Sequence, residues 1–177
     1  SDHKRASDRT AEAMYKIEKM IGEKIDIVVM VQGDEPMVTE HMVELALEPF
    51  KDEFVSVVNL MSRLDTLEEF HDPNEPKVVV DNYNNALYFS REPIPSRKMG
   101  HDKVPMYKQV CIIPFRREAL IDFNLLDETK LESIESIDMN RLLEHGKKVK
   151  MVLIKGNPIS VDTPADLKRV KEKIITS

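Results

Sequence analysis

Two acidic motifs, each next to a short apolar run, could bind a metal ion. The sequence QGDEP at residues 32–36 directly follows the apolar residues 25–31, so Asp34 stands at the end of a predicted strand. A carboxylate there could hold a Mg²⁺ ion that also contacts nucleotide phosphates, because this hard cation needs few protein ligands. Asp34 and Glu35 could equally be solvated residues of a tight turn, and a motif this short does not decide between the two interpretations.

The second motif, VDTPADL at residues 161–167, is also a good helix start. Thr163 suits the N-cap, Pro164 the first helical position, and Asp166 the positively polarised first turn. Capping therefore explains three residues of the motif but leaves Asp162 without a role. An aspartate just before the cap, beside the end of a strand, is placed to be a second metal ligand. The pair of aspartates at two strand ends is a more specific signal than either motif alone.

A third candidate is Arg91, in the sequence FSREPIP at residues 89–95. An arginine fork could bind a carboxylate or phosphate with two parallel hydrogen bonds. The plainer alternative is a surface ion pair with the neighbouring Glu92. Pro93 and Pro95 stiffen the loop and restrict where the guanidinium can lie.

The elements that must position these residues alternate between strand and helix. Apolar runs and capping signals predict strands at residues 25–31, 54–60, 109–115 and 149–154, and helices at 39–47, 64–70, 118–123, 130–144 and 163–175. Residues 77–107 are typical of a β-hairpin or extension, so we expect one domain, 1–177, with a β-insertion at about 77–115. The alternation predicts an α/β fold, an open and mainly parallel sheet with helices on both faces. Ligands of such sheets bind beyond the carboxyl ends of the strands.

The start of the chain is unusual for this class of fold. A helical pattern comes first, and no strand is visible before Ile25, although such domains usually begin with a buried strand. The apolar face of that first helix is predicted to consist of Ala13, Met14, Ile17, Met20 and Ile21.

Composition narrows the functional classes. The net charge of −6 argues against non-specific nucleic-acid binding, which needs a clustered basic surface. The single cysteine, Cys111, excludes an internal disulfide and suits a reducing cytoplasm. No apolar run reaches the length of a membrane span, so no membrane partner is expected.

Four motifs, VQGDEP, LYFSREPIP, LESIES followed by RLLEHG, and SVDTPADLKRV, occur in one order along the chain. In this order and spacing the sequence resembles the bacterial 3-deoxy-manno-octulosonate (KDO) cytidylyltransferases, from His3 to about Val170. The resemblance implies a three-layer, Rossmann-like nucleotidyltransferase fold. It also implies transfer of CMP from CTP to a 2-keto-3-deoxy sugar acid, with release of pyrophosphate, for cell-surface polysaccharide or lipopolysaccharide synthesis.

The same resemblance implies roles for individual residues. Asp34 and Asp162 would hold Mg²⁺ and serve catalysis, while Gln32 and Arg91 would lie against the sugar acid. The segment His3 to Arg9 is similar to the family's H-x-S-G-T-D-R, with Arg5 and Ala6 in place of Ser-Gly. It would place Ser7 and Arg9 near the nucleotide.

This chain departs from the family pattern at three sugar-facing positions. Gln109 stands where the family's strand has a histidine, and Asp138 and Met139 replace a Glu-Gln pair. Methionine cannot make the hydrogen bonds of a glutamine. The nucleotide and metal chemistry is therefore expected to carry over better than the identity of the sugar, which could be KDO or a close relative.

The family's first strand and its phosphate-binding turn have no counterpart in the sequence. We therefore expect this chain alone to be inactive. We also expect a homodimer. Two alternatives remain open: a nucleotide-sugar glycosyltransferase of the GT-A type, which also uses strand-end aspartates on a metal, and a non-catalytic dimerisation or regulatory fragment.

Overall fold

The computed structural model describes residue 3, residues 5–100 and residues 103–176. Its α-helices are α1 Ala6–Ile21, α2 Glu40–Leu47, α3 Leu67–His71, α4 Arg117–Leu125, α5 Lys130–Glu135, α6 Met139–Glu144 and α7 Pro164–Thr176. A short 3₁₀ helix at Glu48–Lys51 follows α2. The strands are β1 Ile27–Val31, β2 Val58–Arg63, β3 Lys77–Val80, β4 Ala86–Ser90, β5 Tyr107–Val110, β6 Ile112–Arg116 and β7 Lys150–Leu153. The predicted alternation of strand and helix is confirmed.

The strands form a five-stranded sheet in the order β4-β3-β5-β2-β7 and a two-stranded sheet of β1 and β6. Among the described strands, β2 and β7 pair in parallel and the other pairings are antiparallel. The α/β class is confirmed, and the sheet is more mixed than the alternation alone predicts. The expected hairpin is β3 and β4, but it extends the edge of the main sheet instead of lying over the core, and β5 is a central strand.

A single residue separates β5 from β6. The sequence predicts one strand at 109–115, whereas the structure breaks it at Cys111. β5 pairs with β2 before the break, and β6 pairs with β1 after it. The break therefore joins the two sheets, and the end of β1 lies beside it.

The main apolar core lies between these sheets and helices α1, α4 and α6. Its fully buried aromatic residues include Phe89, Phe115 and Phe123, and the last two rings stack at 5.8 Å. A second cluster lies under α2, around Ala46, Leu60 and Ile112. Burial of this apolar surface is the main favourable term in the folding of such a domain.

The predicted helix at 130–144 is two helices in the structure. Ser136 has a left-handed backbone, with φ of 54°, and ends α5. The chain then re-enters a helix at Met139. The break lets Ile137 and Met139 both point into the core, which one straight helix would not allow. It also places Asp138 at the start of α6.

Candidate active site

Three segments that are distant in the sequence meet where β5 breaks from β6. The backbone N–H of Gln32 donates to the carbonyl of Cys111 at 3.1 Å, so the end of β1 is fixed to the break. The N–H of Val161 donates to the carbonyl of Asp34 at 2.9 Å. Asp34 and Asp162, which are 128 residues apart, are thereby brought to one place.

A cavity of about 300 Å³ opens at this junction. Of the residues predicted from the sequence to act in catalysis or binding, those that line it are Gln32, Asp34, Arg91, Gln109, Asp138, Met139 and Asp162. Most of the sequence-based candidates, drawn from β1, β4, β5, α6 and the segment before α7, therefore share one cavity.

The two aspartates are not neutralised by the protein around them. Atom Oδ1 of Asp34 is buried and has no hydrogen-bond partner among the described residues. Burial raises the pKa of Asp162, and the negative charge of Asp34 raises it further. Two facing carboxylates with an orphaned oxygen fit a hard divalent cation, which satisfies lone pairs and charge together.

The donor set limits which cation fits. Among the residues that the structure describes, no cluster of three or more His, Cys, Asp or Glu side chains could hold a metal ion. Two carboxylates without nitrogen or sulfur ligands suit Mg²⁺, which takes one or two carboxylates and completes its shell with water and phosphate oxygens.

Arg91 is held firmly at the cavity wall. Its Nε donates to the Glu135 carbonyl at 2.7 Å, and its terminal nitrogens donate to the carbonyls of Pro73 at 2.7 Å and Ser136 at 3.3 Å. The predicted ion pair with Glu92 is not among its contacts in the described part of the chain. A guanidinium has five N–H groups, so two remain for a ligand.

Gln109 is oriented by a buried neighbour, Asn59. The side-chain N–H₂ of Asn59 donates to the carbonyls of Leu60 at 3.0 Å and Val110 at 2.7 Å. Its oxygen must therefore accept, and it receives the Gln109 Nε2 at 2.6 Å. The amide oxygen of Gln109 is left to accept a hydrogen bond from whatever enters the cavity.

Asp138 and Met139 form the wall next to Gln109. Burial raises the pKa of Asp138, and the nearby cation of Arg5 opposes that shift. Met139 is only 1% exposed and packs in the main core, so it contributes an apolar surface to the cavity. This wall offers acceptors beside an apolar patch.

Ser7 and Arg9 both lie at the start of α1, but only Arg9 lies next to the cavity. Arg9 lines a groove that adjoins the cavity along Gln32, Gly33 and Asp34. Ser7 is fully buried, its carbonyl accepting from Asn124 of α4 at 3.2 Å, and it does not line the cavity. A direct contact of the Ser7 side chain with a nucleotide has no support from this placement.

Two residues to which the sequence assigned no role support the site. Arg5 lines the cavity, and Glu35 is buried at the strand break. Glu35 is 4% exposed, and its Oε1 accepts from the backbone N–H of Cys111 at 2.7 Å and from Ser160 Oγ at 3.3 Å. Burial raises its pKa. Glu35 thus connects the turn after β1 to the strand break and to the segment before Asp162. The only indication of this role in the sequence is the position of Glu35 between Asp34 and Pro36.

Cys111 lines the same cavity but is not suited to be a nucleophile. Burial raises the pKa of its thiol well above the ordinary value, and the negative charges of Glu35, Asp34, Asp162 and Asp138 raise it further. A thiol that stays protonated is unreactive. The role of Cys111 lies in its backbone, which binds Gln32 and Glu35.

The sequence model of the cytidylyltransferases matches residues 1–149, which is most of the chain. The chain belongs to the cytidylyltransferase family. Curated relatives of this cytidylyltransferase are named 3-deoxy-manno-octulosonate cytidylyltransferase. That of Christiangramia forsetii is 38% identical over 174 residues, covering 97% of this chain and 68% of the relative. That of Pelobacter propionicus is 35% identical over 184 residues, covering 98% and 70%.

Solved structures agree with this assignment. A CMP:2-keto-3-deoxy-manno-octonic acid synthetase in complex with CTP matches this cytidylyltransferase with a TM-score of 0.87 and 34% identity, over 99% of this chain and 70% of that one. A 4-diphosphocytidyl-2C-methyl-D-erythritol synthase from Anaerococcus prevotii matches with a TM-score of 0.56 and 13% identity, over 93% and 66%. The second likeness shows the fold alone. The predicted family and fold are confirmed.

Proposed function

We propose that this cytidylyltransferase transfers CMP from CTP to KDO or a closely related sugar acid. The observation that carries the proposal is the meeting of Asp34 and Asp162 in one cavity, in a chain 34% identical to a CMP-KDO synthetase solved with CTP. The anomeric hydroxyl of the sugar attacks the α-phosphorus of CTP. A new oxygen–phosphorus bond forms, the hydroxyl loses its proton, the bond to the oxygen of the β-phosphate breaks, and pyrophosphate leaves.

Asp34 and Asp162 would hold Mg²⁺ at the mouth of the cavity. When bound, the ion offsets the negative charge of the phosphates and so lowers the barrier to attack by another oxygen. The protein's own contribution is to hold the backbone that carries the two carboxylates, through Glu35, Cys111 and Val161. A site held in this way needs less reorganisation when substrates bind.

The remaining cavity residues suit the sugar acid. Three of the five N–H groups of Arg91 bind backbone carbonyls, and the other two can donate to the substrate carboxylate. Gln32 lines the same cavity. The amide oxygen of Gln109 and the carboxylate of Asp138 can accept from sugar hydroxyls. Arg9, in the adjoining groove, can bind the nucleotide phosphates.

The wall formed by Gln109, Asp138 and Met139 determines which sugar fits. A hydroxyl placed against Met139 would lose its hydrogen bonds on binding, at a cost of about 1–3 kcal/mol. The favoured substrate therefore presents hydroxyls to Gln109 and Asp138 and a less polar part to Met139. KDO meets this requirement only if none of its hydroxyls contacts Met139. A related sugar acid that lacks a hydroxyl at that position is the other candidate.

The names of the relatives bear on the choice between a nucleotidyltransferase and a glycosyltransferase. The curated relatives given above are cytidylyltransferases by name, which favours nucleotidyl transfer over the glycosyltransferase alternative. A homodimer in the cytoplasm belongs to the same proposal. No helix in the described ranges is long and apolar enough to cross a membrane.

Pyrophosphate release from CTP, with Mg²⁺ and a panel of sugar acids, tests the proposal. The chain is assayed alone and together with the segment of a relative that it does not match. Asp34→Asn and Asp162→Asn should each lower the rate by about 100-fold or more. Asp26→Asn, the same change at an exposed position outside the cavity, is the control. Absence of release with every sugar acid, in a folded and complemented protein, would refute the proposal.

A further inference from the structure

Glu135, the last residue of α5, accepts three hydrogen bonds from the chain at the end of β4. Its Oε1 accepts from the hydroxyls of Tyr88 at 2.7 Å and Ser90 at 2.9 Å, and its Oε2 accepts from the backbone N–H of Arg91 at 2.8 Å. Burial raises the pKa of Glu135, but these hydrogen bonds outweigh it and bring the pKa below the ordinary value. The ionised carboxylate therefore ties the end of α5 to the end of β4.

The same residue also holds the side chain of Arg91. Its backbone carbonyl accepts from Nε of Arg91 at 2.7 Å, and the carbonyl of Ser136, next in the chain, accepts from Nη2 at 3.3 Å. Glu135 thus binds Arg91 twice, at the backbone N–H through its carboxylate and at the guanidinium through its carbonyl. The direction of the guanidinium therefore depends on how the end of α5 lies against β4.

The guanidinium of Arg91 is held by neutral groups. The acceptors that it binds in the described part of the chain are the carbonyls of Pro73, Glu135 and Ser136, while the carboxylate of Glu135 takes the backbone N–H. The guanidinium is fixed, and two of its five N–H groups stay available. A carboxylate of a ligand in the cavity would match both its charge and these donors.

We propose that Glu135 is a positioning residue for the sugar acid, which sets the direction of Arg91 at the cavity wall although Glu135 is not among the residues that line the cavity. The inference rests on the proposed function, in which Arg91 binds the substrate carboxylate. Without the Glu135 carboxylate, Arg91 keeps its guanidinium contacts but loses the anchor at its backbone. A two-pronged pair with a carboxylate depends on direction, so a small displacement weakens it.

The test compares binding of KDO with binding of its methyl ester, which lacks the carboxylate charge. Titration of this chain, followed by nuclear magnetic resonance, measures both dissociation constants without turnover. Glu135→Ala should weaken binding of KDO by about tenfold or more, because a charge-assisted pair is lost, and should change binding of the ester by less than about threefold.

Two variants separate positioning from general stability. Glu135→Gln should bind KDO within about threefold of the unchanged protein, since its amide oxygen can accept from the Arg91 N–H while its N–H₂ donates to the two hydroxyls. Glu144→Ala is the matched control. Glu144 accepts from the backbone N–H groups of Leu131 at 3.0 Å and Glu132 at 3.3 Å, so it also fixes α5, but it does not line the cavity. Its loss should lower the Tm and leave binding of KDO within about twofold.

A double-mutant cycle shows whether Glu135 acts through Arg91. In Arg91→Gln the pair with the carboxylate is already absent, so Glu135→Ala should weaken binding of KDO by no more than about twofold further. Two residues that act independently would instead show the full loss in both backgrounds. Circular dichroism and thermal melting show whether each variant is folded.

The outcomes are separable from those of the reaction. The Nε–H of Arg91 has its own nuclear magnetic resonance signal, which the Glu135 carbonyl should protect from exchange and which should lose protection in Glu135→Ala. Lost protection without pyrophosphate release supports the placement of Arg91 and counts against the proposed reaction alone. An unchanged signal, equal weakening of acid and ester, an equal effect of Glu144→Ala, or independent losses in the cycle would each overturn the inference.

Discussion

Glu35 provides the sharpest test of how the site is built. Its carboxylate is almost fully buried and accepts hydrogen bonds from the Cys111 backbone N–H at 2.7 Å and from Ser160 at 3.3 Å. If these contacts hold the strand break and the turn after β1 together, then removal of the acceptor should destabilise the protein and displace Asp34.

The magnitude follows from the two contacts. A hydrogen bond to a charged acceptor contributes about 1.5–3 kcal/mol, and Glu35→Ala also leaves the buried Cys111 N–H without a partner. Burial raises the pKa of Glu35, so part of this loss is offset by relief of an unfavourable buried charge. We expect a net loss of about 1–3 kcal/mol, which lowers Tm by roughly 2–10 °C in a domain of this size.

Glu35→Gln is the matched comparison. Its amide oxygen can still accept from Cys111, so it should cost less than about 1 kcal/mol. Urea unfolding at neutral pH measures both free energies, and calorimetric titration measures binding of Mg²⁺ and CTP in the complemented protein. Glu35→Ala should weaken binding more than Glu35→Gln does. Equal destabilisation by the two variants, or a loss below about 0.5 kcal/mol for Glu35→Ala, would show that the acceptor does not hold the junction.

Three further predictions concern Asp162, Arg91 and Tyr88. Asp162→Asn should raise the Tm of the metal-free protein by roughly 1–3 °C, since it removes the cost of burying the charge and the repulsion from Asp34. It should also abolish stabilisation by Mg²⁺ in thermal melts. Arg91→Lys should lower the free energy of unfolding by about 1–3 kcal/mol, because the three donors of lysine share one nitrogen and cannot reach carbonyls that are spread around three guanidinium nitrogens. No loss in urea unfolding would contradict this. Burial and the bond to Glu135 raise the pKa of Tyr88 to about 12, so its stabilisation is present below pH 10 and lost as pH rises toward 12. Ultraviolet titration should show one late tyrosine, absent in Tyr88→Phe.

Much of the fold and most of the cavity lining could be predicted from the sequence. Apolar runs and caps are local signals, so the order of strands and helices and the cap at Thr39 follow from nearby residues. Strand pairing depends on distant residues, which is why the alternation predicted more parallel pairing than the described strands show. The breaks at Cys111 and Ser136 have the same origin, since each strand or helix bends to meet partners far along the chain.

The sequence by itself determined which residues are candidates for the chemistry. The acidic motifs named Asp34 and Asp162, and the four ordered motifs named the family, because both depend only on residue type and order. Only the tertiary structure decided how they are arranged. The Val161 N–H bonds to Asp34, Asn59 orients Gln109, Glu35 bonds to the strand break, and Ser7 is buried and absent from the cavity lining. These are hydrogen bonds and burial between segments 50 or more residues apart, and no local pattern encodes the direction in which a side chain finds its partner.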